Sequence, residues 1–141
     1  MAMDLDEFVR QCEEAWRVFV TGDPGPATRL FSRRDDVTLA NPWGPAATGW
    51  PEVSSTLEAA AGRFRSGHVS AFDVRSNFVS EDIAWCHEVE RIQAMLGGRS
   101  ELEDFALRVT SIYRREDEQW RIVLRHADPI VAPRPPDATL A

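Results

Sequence analysis

The spacing of apolar residues changes once along the chain, near residue 68. Before that point, apolar side chains recur every three or four residues, which is typical of helices with one buried face. After it, apolar and polar side chains alternate, which indicates strands with one buried face. Helices followed by a run of strands predict an α+β domain. In such a domain the helices pack on one face of a curved, antiparallel sheet.

The helical part predicts three helices and one short strand. The first helix covers residues 5–20 and ends at Gly22, the second follows Asp23-Pro24 and runs to Phe31, and the third runs from Pro51 to Gly67. Between the last two, residues 37–41 alternate as a short strand. The second part predicts four strands, at residues 69–79, 82–96, 102–115 and 119–127.

The length of 141 residues suits one domain. We assign residues 1–130 to this domain. From Pro129 onward the chain has four prolines in eight residues and a small, polar end. This composition predicts that residues 131–141 form an extended or disordered C-terminal tail.

The net charge of −7 argues against a general nucleic-acid binder and against charge-driven docking on an anionic membrane. All 16 basic residues are arginines, which we attribute to the codon bias of a GC-rich, bacterial genome. Two cysteines are too few for a disulfide framework or a zinc site. With no secretory signal and no apolar run of membrane-spanning length, we expect a cytoplasmic protein that needs no metal and no cofactor.

The last two predicted strands carry a recognisable pattern. An Arg-Val-Thr segment at 108–110, a charged hairpin and a Trp-Arg-Ile-Val-x-x-His segment at 120–126 follow one another. With Thr21-Gly22-Asp23, Asn41-Pro42-Trp43-Gly44 and Thr48-Gly49, the chain resembles the SnoaL-like, nuclear transport factor 2-like superfamily over residues 4–130. The resemblance implies a cone-shaped sheet around three N-terminal helices, with a pocket inside the cone. It also implies a homodimer formed through the outer sheet face, for which the strands offer a mixed set: Arg108, Thr110, Ile112, Arg121, Val123 and Arg125.

Ketosteroid isomerase, an enzyme with this fold, provides a test. Its general base is an aspartate in an Asp-Pro-x-Gly turn, where this chain has Asn41, and an amide cannot accept a proton at useful pH. The position of its oxyanion tyrosine falls near Ala15 and Trp16. The position of its second proton donor falls near Val109 or Thr110. We therefore expect no isomerisation of ketosteroids by the standard route, and the residues leave open whether the protein is an enzyme.

Two histidines are the candidates for proton transfer. If Trp85 and His87 face the cone, His87 shares the interior with His126, and histidine titrates near neutral pH. Scytalone dehydratase, another enzyme with this fold, uses pocket histidines, a tyrosine and an aspartate, and here Tyr113 and Asp128 could complete such a set. Two alternatives stay open. The histidines could be hydrogen-bonded structural groups, or the strand could have the opposite parity, with Glu88 inward.

Aromatic residues in the Pro/Gly-rich loop predict a ligand site. Trp43 and Trp50 would lie over the mouth of the pocket beside Asn41, with Trp85 on its wall, whereas Trp16 and Trp120 belong to the core. The first hypothesis is thus a protein that binds a small apolar or aromatic organic molecule. The second is a lyase, isomerase or cyclase using His87 and His126. The third is a non-catalytic dimerisation module.

Overall fold

The computed structural model describes residues 4–141. The helices come first and the long strands follow, so the predicted α+β class is confirmed. The helices are α1 (Leu5–Phe19), α2 (Gly25–Thr28) and α3 (Trp50–Ala61). The strands are β1 (Thr38–Ala40), β2 (Ala47–Thr48), β3 (Phe64–Val79), β4 (Ile83–Leu96), β5 (Glu103–Glu116) and β6 (Gln119–Asp128), followed by a 3₁₀ turn at Pro136–Thr139.

The strands form one sheet in the order β2-β1-β6-β5-β4-β3. All neighbours are antiparallel except β1 and β6, which run parallel with Leu39 opposite Arg125. The sheet is therefore mixed and mostly antiparallel, not wholly antiparallel as expected. An alternating pattern shows which face of a strand is buried but not the direction of its neighbour.

Helix α1 covers the inner face of the sheet. Its N-terminus is capped by Asp4, whose carboxylate accepts a hydrogen bond of 2.8 Å from the Glu7 amide. The buried residues of its apolar stripe are Phe8, Cys12, Ala15, Trp16 and Phe19. The rings of Trp16 and Phe19 meet edge to face, and Phe8 meets the ring of Tyr113 in β5 in the same way. The inner face of the sheet and this stripe together make the core.

Two helices are shorter than predicted. Helix α2 ends at Thr28 instead of Phe31, and α3 ends at Ala61. Strand β3 then begins at Phe64, so Gly67 lies inside a strand and does not end a helix. The reason is a close approach, because a Cβ on Gly67 would lie 2.3 Å from the Val20 carbonyl oxygen that the Gly67 amide contacts. Only glycine fits there. Because glycine is also typical of helix ends, the sequence predicted that a helix ends at this position.

A β-bulge in β6 reverses the parity of that strand. Ile112 pairs with Leu124 and Tyr113 pairs with Ile122, so Val123 has no partner on β5. Before the bulge, Ile122 points into the core. After it, Arg125 is buried at 6% exposure. Uninterrupted alternation therefore assigns the wrong face to the second half of β6.

The C-terminal tail passes over the outer face of the sheet. Residues 130–136 line a groove together with Val89 and Arg108, and the tail contains the 3₁₀ turn. Among residues 4–141, no helix is both long enough and apolar enough to cross a membrane.

Candidate functional site

Strand β4 turns its even-numbered residues toward the helices. Cys86 and Glu90 are buried, whereas Trp85 lies opposite Ile112 on the outer face and is 36% exposed. The expected inward placement of Trp85 and His87 is therefore wrong, and the opposite parity, with Glu88 inward, is the one adopted. Both registers alternate equally well along this strand. In the register that the structure adopts, Glu90 is buried and has a buried partner.

A small cavity lies between the helices and the inner face, with a volume of about 40 Å³. One water needs about 10–15 Å³ measured in this way, so the cavity as it stands has room for a few waters only. Its wall is mostly aromatic and aliphatic, with one amide and one ion pair: Trp16, Phe19, Val20, Leu39, Asn41, Pro42, Trp43, Leu57, Ala60, Phe64, Glu90, Ile92, Leu107, Arg125 and Ala127. Few polar groups thus converge on a mostly apolar space.

The ion pair in the cavity wall joins Glu90 of β4 to Arg125 of β6. The guanidinium donates two hydrogen bonds, of 2.8 and 2.9 Å, to the two carboxylate oxygens. The Trp16 ring centroid lies 3.8 Å from the Arg125 Cζ, so the cation is also covered by an aromatic face. Burial alone would lower the pKa of Arg125, but the carboxylate of Glu90 outweighs burial and raises it. The pair is thus a fixed, charged anchor at the edge of an apolar cavity.

A second carboxyl group lies beside this pair. Glu88, two residues before Glu90 on the same face, is mostly buried, and its pKa is raised to about 8 by burial and by the negative charge of Glu90. The Cys86 sulfur lies 4.0 Å from its Oε2. Burial also raises the pKa of the Cys86 thiol to about 12. At neutral pH the inner face therefore holds a predominantly neutral carboxylic acid, Glu88, beside the Glu90–Arg125 pair.

The loop after β1 closes the cavity. The ring centroid of Trp43 lies 5.6 Å from that of Phe64 and 5.5 Å from the Arg63 Cζ. The Trp43 residue nevertheless remains 37% exposed. Asn41 accepts a hydrogen bond of 3.1 Å from the Trp43 amide. Outside the short β1–β2 ladder, no backbone-to-backbone hydrogen bond of 3.5 Å or less among residues 4–141 involves residues 42–46. Asn41 and Trp43 both lie in the cavity wall, and the Trp43 ring joins this loop to Phe64 of β3.

The other two predicted ligand residues lie elsewhere. Trp50, the first residue of α3, lies outside the cavity wall and stacks on the Arg33 guanidinium. The Arg33 Cζ lies 3.6 Å from the Trp50 ring centroid. Trp85 stacks on Phe78 with ring centroids 6.4 Å apart, on the outer face. Placing these two tryptophans on the cavity is therefore wrong. In both cases an arginine or an aromatic on a neighbouring element offers the ring another partner.

The four residues proposed for proton transfer are divided by the sheet. His87 and His126 both flank Thr110 on the outer face, where the His87 Nδ1 lies 2.8 Å from the Thr110 hydroxyl. Asp128 lies on the same face and is held by a bidentate hydrogen bond from Arg108, whereas Tyr113 is buried on the inner face. The inward placement of His126 and Asp128 is wrong because of the bulge at residue 123. Neither histidine lines the cavity.

Sequence reasoning missed the buried ion pair. Two other arginines of the neighbouring strands, Arg91 and Arg108, bind Asp73 and Asp128 on the outer face. Arg125 was assigned to the outer face because the bulge leaves no mark in the alternation. The available signal was the run of small or apolar residues at even positions of β4, Ala84 and Ile92 among them. Among residues 4–141, no three His, Cys, Asp or Glu side chains are grouped as metal ligands would be.

Solved structures of the same fold match nearly the whole chain. A nuclear transport factor 2-like superfamily protein from Salmonella enterica matches with a TM-score of 0.73 at 15% identity, covering 98% of this chain and 99% of its own. A ketosteroid isomerase-like protein from Erwinia carotovora matches with a TM-score of 0.73 at 14% identity, over 91% and 95%. A nuclear transport factor 2-like protein of unknown function from Pseudomonas putida matches with a TM-score of 0.70 at 19% identity, over 97% and 89%.

These similarities show the fold alone, and any inference about chemistry depends on the residues of the site. No curated protein matches this chain. The SnoaL-like domain, in contrast, matches residues 12–132, which include the cavity, the bulge and both members of the buried ion pair. The chain therefore has the nuclear transport factor 2-like fold and belongs to the SnoaL-like domain family.

Proposed function

We propose that this protein binds a small, largely apolar aromatic molecule in the interior cavity. The observation that carries the proposal is the cavity wall, where the rings of Trp16, Trp43 and Phe64 surround a space that only one amide and one ion pair make polar. Rings on a cavity wall offer stacking and apolar area to a flat ligand.

Binding requires the loop over the cavity to move. A cavity of about 150 Å³ accommodates a benzene-sized ring, whereas the closed cavity here measures about 40 Å³. Outward rotation of Trp43 would add the volume of its own side chain, at the cost of its contacts with Phe64 and Arg63. A ligand that restores the ring contacts offsets that cost, so the open state is selected by the ligand.

The polar groups on the wall restrict the ligand further. The Asn41 side chain can donate and accept, and the Glu90–Arg125 pair presents a fixed dipole. A ligand with one carbonyl or hydroxyl group on an aromatic ring would place that group against them. A ligand with its own full charge would have to desolvate it in an apolar space, which is unfavourable.

Titration with 2-naphthol and with indole, followed by tryptophan fluorescence and by the melting temperature, tests this proposal. Trp43→Ala removes a ring from the cavity wall, and Trp50→Ala removes a ring at the start of α3, outside the cavity wall. We expect saturable binding to the unaltered protein, weakened severalfold by Trp43→Ala and unchanged by Trp50→Ala. Equal loss in both variants, or no saturable binding of either probe, would refute the proposal.

A further inference from the structure

A second groove lies at the opposite end of β6 from the cavity. It runs between the segment after α2 and the β5–β6 hairpin, with a volume of about 690 Å³, open to solvent. Its lining is almost wholly charged: Arg29, Arg33, Arg34, Glu116, Asp117, Gln119 and Arg121. Arg121 precedes Arg125 by four residues, about 13 Å along a strand, so the groove and the cavity are separate sites.

The charges in this groove do not balance. Four arginines and two acidic residues line it. Glu116 is already engaged, since it accepts hydrogen bonds from Ser32 and Arg114 and lies 3.7 Å from Arg34. Arg29, Arg33 and Arg121 take part in none of the ion pairs within 4.0 Å that residues 4–141 form. In a chain of net charge −7, this is a local excess of positive charge.

Neutral groups hold two of these guanidinium groups in place. Arg33 donates to the carbonyl oxygens of Thr28 and Phe31, at 2.8 and 3.2 Å, and stacks on Trp50. Arg121 donates to the Arg29 carbonyl oxygen at 2.8 Å and to Gln119 at 3.1 Å. Part of the side-chain entropy is therefore already lost before any ligand arrives, which favours binding.

The two guanidinium groups are near enough to repel each other. Partial burial lowers the pKa of Arg33, and the positive charge of Arg121 lowers it further. Holding like charges together without an intervening anion is unfavourable. An anion between them would remove this repulsion and accept hydrogen bonds from the remaining N–H groups of both forks.

We propose that this groove binds the phosphate group of a small phosphorylated molecule, between Arg29, Arg33 and Arg121. A phosphate group offers two charges and several acceptor oxygens to three cations, and guanidinium forks match its geometry. A single carboxylate would neutralise only one of the three. The open volume beyond the arginines leaves room for the rest of the molecule.

Calorimetric titration with inorganic pyrophosphate in a phosphate-free buffer at low ionic strength tests this inference. Arg29→Gln is the main variant, because within residues 4–141 the Arg29 side chain makes no hydrogen bond and only its backbone carbonyl oxygen accepts one, so its loss should leave folding intact. Arg121→Gln is the second variant. Arg99→Gln, in the β4–β5 hairpin, is the matched control. We expect Arg29→Gln and Arg121→Gln each to weaken binding about tenfold or more, and Arg99→Gln to leave it unchanged.

Several results would overturn the inference. Absence of pyrophosphate binding to the unaltered protein would do so, as would an equal loss in the Arg29→Gln and Arg99→Gln variants. Tighter binding of citrate than of pyrophosphate would overturn the assignment to phosphate. Trp43→Ala should not change pyrophosphate affinity, so failure of the cavity proposal and failure of this one are distinguishable.

Discussion

The carboxyl group of Glu88 makes the stability of this protein depend on pH in an unusual direction. Its pKa is raised from 4.5 to about 8 in the folded state, by burial and by the charge of Glu90. The folded state thus holds this proton more tightly than the unfolded chain does. The stabilisation is complete below the unfolded pKa and is lost as the pH rises toward the folded pKa. Between about pH 5 and pH 8, the free energy of unfolding should fall as the pH rises.

The substitution Glu88→Gln isolates this effect, because the amide has nearly the shape of the protonated acid and cannot ionise. One pKa unit corresponds to about 1.4 kcal/mol, so Glu88 can lower the free energy of unfolding by at most about 1.4 kcal/mol for each pH unit in this window. Hydrogen bonds from Arg114 lower the pKa of Asp36. Burial alone would raise the pKa of Asp128, but hydrogen bonds from Arg108 outweigh burial and lower it. Their contributions change only in acid, below the window.

The assay is urea unfolding at several pH values across this window, for the unaltered protein and for two variants. We expect a falling stability for the unaltered protein and a much flatter profile for Glu88→Gln, which should be the more stable protein near pH 8. Glu58→Gln, which alters an exposed carboxylate of α3, should follow the unaltered protein. If Glu88→Gln and the unaltered protein show the same slope, Glu88 does not titrate as the structure indicates, and the argument is refuted.

Four further predictions follow from the same structure. Trp16→Ala should lower the free energy of unfolding by roughly 3–5 kcal/mol in a denaturant titration, because it empties a buried site and uncovers Arg125. Arg125→Met should lower the free energy of unfolding by a similar amount, about 3–5 kcal/mol, because it leaves the buried Glu90 without its partner. Adding Glu90→Leu should recover most of this loss. Sedimentation should give about twice 15.9 kDa, and Trp85→Glu should give a monomer, because we propose that the outer face of the sheet, with Trp85 exposed on it, forms a homodimer. Turnover of a Δ5-3-ketosteroid should remain at background, since Asn41, at the cavity wall, cannot act as the base; clear isomerase activity would contradict this.

The periodicity of the sequence predicted the fold because that fold depends on which faces are apolar. The stripe on α1 and the alternation of β5 from Leu107 to Tyr113 each indicate a single face as the buried one. In the structure that face is buried in both elements. Helix ends were less certain. Gly67 reads as a helix stop in sequence, although its role is to let β3 pass against the carbonyl group of Val20.

The site was harder to predict, because it depends on single-residue parity. Strand β4 has chemistry-bearing residues on both faces, so alternation alone did not decide between His87 and Glu88. That choice depends on whether a cation lies opposite, and the cation, Arg125, comes from a different strand 35 residues away. Asn41 and Trp43 lie in the cavity wall, and their position in a Pro/Gly-rich loop does not depend on strand parity.

The unpaired residue in β6 gives this sheet a simple route to a different interior. If Val123 entered the pairing opposite Ile112, each residue after it would move by one position on β5 and exchange faces. The guanidinium of Arg125 would leave the core and the imidazole of His126 would enter it, while Trp120 and Ile122 kept their places. A one-residue shift of register can therefore replace a guanidinium in the cavity wall with an imidazole. In a fold that serves many chemistries, such a shift alters the reactive groups without rebuilding the scaffold.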